Sequence, residues 1–504
     1  LDPARSIQKR RQAAALQGGA QLNFASLRGC WIYCRAIYSL QCRKVPNNMN
    51  EQSVTTDNII GHPRGLGPLF FTELWERFSY YGMRAILVLY MTAPTAQGGL
   101  GFDVKTSASI YGTYTMGVYL LALPGGLAAD YVFGARLAVF LGGIVIAAGH
   151  FSMIFHSMTL LYLGMGLIAV GTGLLKPNIS TMVGSLYREN DPRRDSGFSI
   201  FYMGINVGAV LAPFTCSYLA QSESFKRFLT NNGFDPMKSW HWAFGAAGVG
   251  MILGLIVYLV FQRSLKRVGN RVKKQVSAKV NDPAAKQPLT ASDWKRIAVI
   301  FIFFAFTMLF WVAYEQKGSS LNLFARDLVR TEIFGMKFPS GYLQSCTPLF
   351  VIMLAPLFSY IWVRLKDRQP SSPVKFMLGL LFIGAAYLLM VPATMLTAHG
   401  KISFLWLVGL YFIEVCGEMC LSPVGLSTVT KLAPVKLVGL MMGVWFLATA
   451  FGNKIAGYLA GFYVANNPWQ LTKLYGGIAV GLLIAAGFLA ILTPTIKRLM
   501  GKVT

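Results

Sequence analysis

Charge is scarce in this sequence. Only 13% of its 504 residues are Asp, Glu, Lys or Arg, where a soluble chain of this length carries about a quarter. That shortage excludes a solvated globular enzyme or binding module, and a hydrophobic content of 54% points to a polytopic protein folded in lipid. Acids are scarcer than bases, 20 against 46, for a formal net charge of +26. The excess does not require nucleic acid. Lys and Arg sit mostly in loops between apolar runs, and no basic-aromatic recognition module accompanies them. Histidine numbers five and cysteine seven. The histidines are scattered, and Cys416 and Cys420, one turn apart in 414-EVCGEMCLSP-423, lack a zinc-ligand spacing. No metal site, cofactor or nucleophile–base pair is expected, so the chain does not read as an enzyme. No repeated pore rings suggest a channel.

What is abundant is apolar sequence long enough to span a bilayer. Twelve runs have cores at 66–92, 107–130, 136–156, 159–184, 196–220, 240–262, 294–316, 340–364, 374–396, 402–430, 438–464 and 468–496. The expected fold is an all-α membrane protein of twelve transmembrane helices in two six-helix bundles, 66–262 and 294–504. Between them, 263–293 is a basic linker without a further apolar pair. Even parity puts both termini on one side. Loops on that side carry roughly twenty Lys or Arg and loops on the other roughly ten, so the positive-inside rule makes the termini and linker cytoplasmic. About half of those twenty lie in the linker, which therefore carries the assignment. A cell (inner or plasma) membrane is the expected location, with lipid as the surrounding partner and no obligatory protein partner.

Residues 1–65 form a polar lead-in expected to be disordered. Within it, 1–48 hold eight Lys or Arg against one acid, Asp2. Two readings stay open: an overextended start, with synthesis beginning at Met49, or an organelle-targeting peptide. Under the first, 1–48 are dispensable for insertion and transport.

Span 1 breaks the pattern of its neighbours. The stretch 73-ELWERFSYYGMR-84 places Glu73, Glu76, Arg77, Tyr80, Tyr81 and Arg84 on one helical stripe roughly 140° wide and ~16 Å long. Each unpaired charge near the bilayer centre costs ~2.5–3.5 kcal/mol on insertion scales. The bland interpretation is a salt-bridge set that only fixes packing. The alternative is one wall of a polar cavity, the usual meaning of intramembrane ionisable groups.

Four motifs then carry a specific resemblance. They are 73-ELWERFSYYG-82, 125-GGLAADYVFGAR-136, 201-FYMGINVG-208 and 418-EMCLSPVGLS-427, each in the appropriate span. The chain resembles proton-dependent oligopeptide transporters, the POT or peptide transporter family of the major facilitator superfamily, over about residues 60–500. That resemblance implies a symporter that couples inward proton flow to uptake of di- and tripeptides by alternating access. It implies a site formed by Tyr80, Tyr81, Arg84, Tyr119, Lys176, Asn206, Glu418 and Trp445, with Glu73, Glu76 and Arg77 handling the proton. An Arg84–Glu315 pair would latch the outer gate. Asp130 and Arg136 would pair or cap helix ends at the opposite edge, in a structural or gating role.

The residue types suit a zwitterionic ligand. Arg84 and Lys176 are candidate carboxylate binders, Glu418 a candidate for the ammonium group, and Asn206 a hydrogen-bonding partner for peptide backbone. Pro177 and Pro423 are candidate helix breaks beside the cavity. For Glu315 a snorkelling surface carboxylate is the competing explanation, and Glu414, one turn before Glu418, is left unassigned between cavity and packing. Glu73, Glu76, Glu315 and Glu418 exceed Arg77, Arg84 and Lys176 by one negative charge, which one proton would neutralise. One departure from the resemblance is Thr347 in 343-LQSCTPLF-350, where relatives commonly place asparagine. A nitrate or other small-anion carrier of the same fold is the alternative; it would use Arg84 and Lys176 but have little need of Glu418.

Overall fold

Lipid offers the backbone no hydrogen-bond partners, so each apolar run must satisfy its own N–H and C=O groups, and a helix does this within one segment. A computed structural model describes residues 58–59, 61–188, 191–265, 289–434 and 437–501. The expectations for 1–57 and for most of the linker lie outside them. Span 1 is Leu66–Thr92, span 2 Val104–Leu120 continuing through Ala122–Ala128 and a π turn at Ala129–Phe133, and span 3 Ala135–Ser152. Spans 4 to 6 are Met158–Ser185, Arg194–Gln221 and Ser239–Val260. Span 7 begins as Ala291–Tyr314, and spans 8 to 12 are Cys346–Leu365, Ser372–Leu396, Leu405–Leu432, Val438–Ala460 and Pro468–Met500. Starts are set by local chemistry where the sequence supplies it. Asp103 accepts from Thr106 N, Thr290 and Asp293 close a capping box, and Asn467 caps a helix with Pro468 in its first turn.

Eleven of these helices are long and apolar enough to cross a membrane by composition. Span 1 is the exception because of its charges, and the fold deals with them by enclosure: 21 of its 27 residues are buried. It packs against spans 5 and 6. A Cβ on Gly208 of span 5 would come within 2.2 Å of the Leu74 carbonyl oxygen, so only a glycine allows that approach.

The halves meet most closely where span 2 crosses span 11. A Cβ on Gly112 would lie 2.9 Å from Gly457 Cα, with backbone on both sides of the crossing. Strand structure among the described residues is confined to two-residue pairs in loops, such as Val329–Arg330 beside Ile402–Ser403.

Two expectations need correction. Span 7 does not end near residue 316. It passes through a 3-10 joint, Glu315–Gly318, and resumes as Ser320–Leu328. Glu315 is therefore buried at a mid-span joint, 2% exposed, and does not snorkel. Pro177 and Pro423 do not break their helices either, since spans 4 and 10 run through them. In span 4 nearby side chains supply donors to the backbone: Asn178 Nδ2 donates to Leu174 O at 2.6 Å and Thr181 Oγ1 to Pro177 O at 3.0 Å. Beyond span 5 a short helix, Glu223–Asn231, adds an element the hydropathy pattern did not suggest.

Candidate functional site

The span 1 stripe is buried and internally paired. Arg77 lies between its own helical neighbours, 3.3 Å from Glu73 Oε1 and forked onto both oxygens of Glu76, with Nη2 to Oε1 at 2.6 Å. Its guanidinium sits 5.2 Å from the centre of the Tyr80 ring. Glu73 Oε2 has no hydrogen-bond partner. Two turns on, Arg84 leaves its own helix for partners elsewhere. Its Nη2 pairs with Glu315 Oε2 of span 7, and its Nε donates to the Tyr111 hydroxyl of span 2.

That pair is one of several ties between the halves on the side away from Leu66 and Met500. Asn322 Nδ2 donates to Ala85 O at 2.8 Å, and Arg326 Nη1 to Thr92 Oγ1 at 2.6 Å. Lys454 Nζ reaches Thr113 Oγ1 at 2.6 Å, and Ser345 Oγ donates to Val210 O at 2.7 Å. The outer piece of span 7 is thus fastened to span 1, which seals this end.

Beside the Arg84–Glu315 pair lies a cavity of about 290 Å³ lined from both halves. Its walls bring together Glu73, Arg77, Tyr81, Arg84, Tyr119, Lys176 and Asn206 with Lys317, Thr347 and Glu418. Lys176 lies 4.4 Å over the Tyr119 ring, a cation–π contact. Glu418 Oε2 accepts from the Tyr314 hydroxyl at 2.6 Å, and Asn206 Nδ2 turns back to Tyr202 O at 3.0 Å. Thr347 is on the wall with an unpartnered hydroxyl. A larger groove of about 690 Å³ runs along spans 7, 11 and 12, but its lining is mostly apolar, with Leu309, Phe462 and Ile478, and Lys473 is its one charged residue.

Some of the expected site residues do not reach the wall. Tyr80 is buried behind it, its ring against Arg77 and Tyr81. Trp445 is wedged against Gly425 and Phe376, where it fills the space between spans 10, 9 and 11. Glu76 is completely enclosed by the Arg77 fork. At the opposite edge Asp130 is exposed and Arg136 half-buried, and no ion pair joins them among the described residues; Arg136 O instead accepts from the Tyr258 hydroxyl at 3.0 Å.

Reasoning from the sequence missed one group, Lys317, and left another, Glu414, open between cavity and packing. Lys317 is buried and lines the cavity, its ammonium 3.2 Å over the Tyr314 ring. Ending span 7 near residue 316 had placed it outside; the apolar positions within 321-LNLFA-325 were the signal that the helix resumes. Glu414 is fully buried behind the cavity, and neither of its oxygens has a partner. Adding both leaves five carboxylates against four cations, so the surplus is still one negative charge.

The chain resembles known proteins along most of its length. The profile of the POT family (PTR2) matches residues 131–282 and 271–473. An uncharacterised transporter of Bacillus subtilis (strain 168), YclF, is 38% identical over 90% of this chain and 99% of its own. A di-/tripeptide transporter of Lactococcus lactis subsp. cremoris is 34% identical, covering 90% of this chain and all of its own length (100%). Among solved structures, a crystal structure of a peptide transporter POT in complex with alafosfalin superimposes with a TM-score of 0.79 at 38% identity, over 90% of this chain and 100% of that one. With these likenesses, the twelve helices take the major-facilitator plan of two six-helix bundles, and the chain belongs to the POT family.

Proposed function

We propose that this protein is a proton-coupled symporter that takes up di- and tripeptides by alternating access. The observation that carries the reading is the cavity itself. It is about 290 Å³, near the lower end of the ~300–1,000 Å³ common for small-molecule sites. Arg84 and Lys176 stand on span 1 and span 4, and Glu418 faces them from span 10. A peptide presents a carboxylate at one end and an ammonium group at the other, and this distribution of charge suits both ends. The names of relatives point the same way, as does the alafosfalin bound in a similar transporter.

In this reading Arg84 and Lys176 take the carboxylate, Glu418 the ammonium group, and Asn206 and the tyrosines the backbone and side chains. Glu73, Glu76 and Arg77 form the coupling group. Peptide carboxylate arriving at Arg84 competes with Glu315, which loosens the outer latch and ties cargo to the rocking of 66–262 against 294–504. The basic loops support cytoplasmic termini; in this reading the sealed end faces outward and the state described is closed to the outside.

The test is uptake of a labelled dipeptide into proteoliposomes under an imposed inward proton gradient. Accumulation above equilibrium, abolished by a protonophore, is expected. Gradient-driven nitrate uptake without peptide uptake would replace the reading with the anion carrier; an anion has no use for Glu418.

A further inference from the structure

The surplus carboxylate can be located. Four of the five buried glutamates have at least one partner. Glu73 and Glu76 share Arg77, Glu315 holds Arg84, and Glu418 accepts from Tyr314. Glu414 has none: its exposure is 0%, and both Oε1 and Oε2 lack a hydrogen bond. An ionised carboxylate so placed would forgo both solvent and hydrogen bonds, which strongly disfavours the charge. A neutral carboxyl avoids most of that cost.

We propose that in the outward-sealed state Glu414 is the resting place of the transported proton, a site behind the peptide cavity. This rests on the reading of the chain as a proton-coupled symporter. The groups facing Glu414 fit a site that can also release its proton. Across from it stand Lys317 and Glu315 of span 7 and Arg84 of span 1, with Glu418 on its own helix. The phenols of Tyr314, Tyr387 and Tyr411 complete the surroundings. Arg84 is committed to Glu315, which leaves Lys317 as the cation free to approach. In the sealed state the Lys317 ammonium rests on the Tyr314 ring and forms no ion pair with Glu414.

Lys317 belongs to the 3-10 joint of span 7, between the segment packed in its own half and the outer piece tied to span 1. Rearrangement of that joint as the latch opens or closes moves Lys317 relative to Glu414. Approach of the ammonium favours the carboxylate: the O–H bond of Glu414 breaks, its electron pair stays on the oxygen, and the proton passes to Glu418 or cavity water. Withdrawal of Lys317 favours the reverse. Glu73, Glu76 and Arg77 then exchange the proton with the cavity, while Glu414 stores it between cycles.

Infrared difference spectroscopy of the reconstituted, peptide-free protein reads this directly. A carbonyl stretch of a protonated carboxylic acid is expected in wild type, lost in Glu414→Gln and retained in Glu73→Gln. Loss of that band in Glu73→Gln but not in Glu414→Gln would overturn the assignment, as would its absence from wild type. Should Glu414→Gln fail to fold, Glu414→Asp must shift the band, and an unshifted band overturns the proposal equally. In proteoliposomes, Glu414→Gln should move one proton fewer per peptide by reversal potential; unchanged stoichiometry counts against it. If wild type fails to concentrate peptide at all, the symporter reading falls, and the infrared comparison still decides where the proton sits.

Discussion

Two clusters of buried charge adjoin the cavity, and they are built on opposite plans. Glu73, Glu76 and Arg77 lie within one turn of one helix, and Arg77 contacts both acids. Glu315, Lys317, Glu414 and Glu418 come from spans 7 and 10, and one of them has no partner at all. The first cluster pairs its one cation with both acids of a single element, so its contacts persist however the halves are arranged. The second depends on the joint in span 7 and on Arg84, which reaches it from the other half. A transporter that changes shape will therefore alter the second cluster more than the first. Local pairing gives a durable charge pattern, and pairing between helices gives one that conformation can switch.

The largest expected effect comes from breaking the ion pair by which span 1 reaches the second cluster. Arg84→Ala leaves Glu315 buried and unpaired, a loss of about 3–5 kcal/mol in the sealed state, and it also removes a carboxylate-binding cation. Both gradient-driven uptake and peptide exchange should collapse. Exchange at the wild-type rate would show that neither role belongs to Arg84.

The two clusters are separated next by Glu73→Gln. Gradient-driven accumulation should disappear, while exchange of labelled for unlabelled peptide at equal pH continues, since exchange needs rocking but no net proton movement. A variant that still concentrates peptide would move the coupling step out of span 1, with Glu315 the next residue to examine.

Glu418→Gln probes the amine end of the second cluster. Loss of a charge-assisted contact worth about 1.5–3 kcal/mol should weaken uptake of free dipeptides roughly 10- to 100-fold. Wild type should also discriminate against peptides with acetylated amino ends. Equal uptake of free and blocked peptides by wild type would remove the assignment.

The smallest change sharpens the wall between the clusters. The Thr347 hydroxyl is unpartnered on the cavity surface, and Thr347→Asn supplies an amide with both donors and an acceptor. A net gain of about 0.5–1.5 kcal/mol for one hydrogen bond should lower the apparent dipeptide Kd by a few-fold to tenfold. Competition binding against a fluorescent peptide measures it, and an unchanged Kd would mean that the ligand backbone passes this wall without contact.

The helices were legible in the sequence because lipid imposes one rule on every segment: about twenty apolar residues, with their backbone bonds closed internally. The span 1 stripe was legible for a similar reason, since spacing along one helix fixes which side chains share a face. Tertiary structure alone decided whether a proline broke its helix, where span 7 jointed, and that Tyr80 and Trp445 stand behind the wall. The joint and the two ring positions depend on atoms from distant segments: the ties from Arg84 and Ala85 of span 1 to Glu315 and Asn322, and the space beside Gly425. Glu414 is the clearest case. Its helix and its facing were readable from its position one turn before Glu418, but its isolation was not, because a missing partner is a property of everything packed around it.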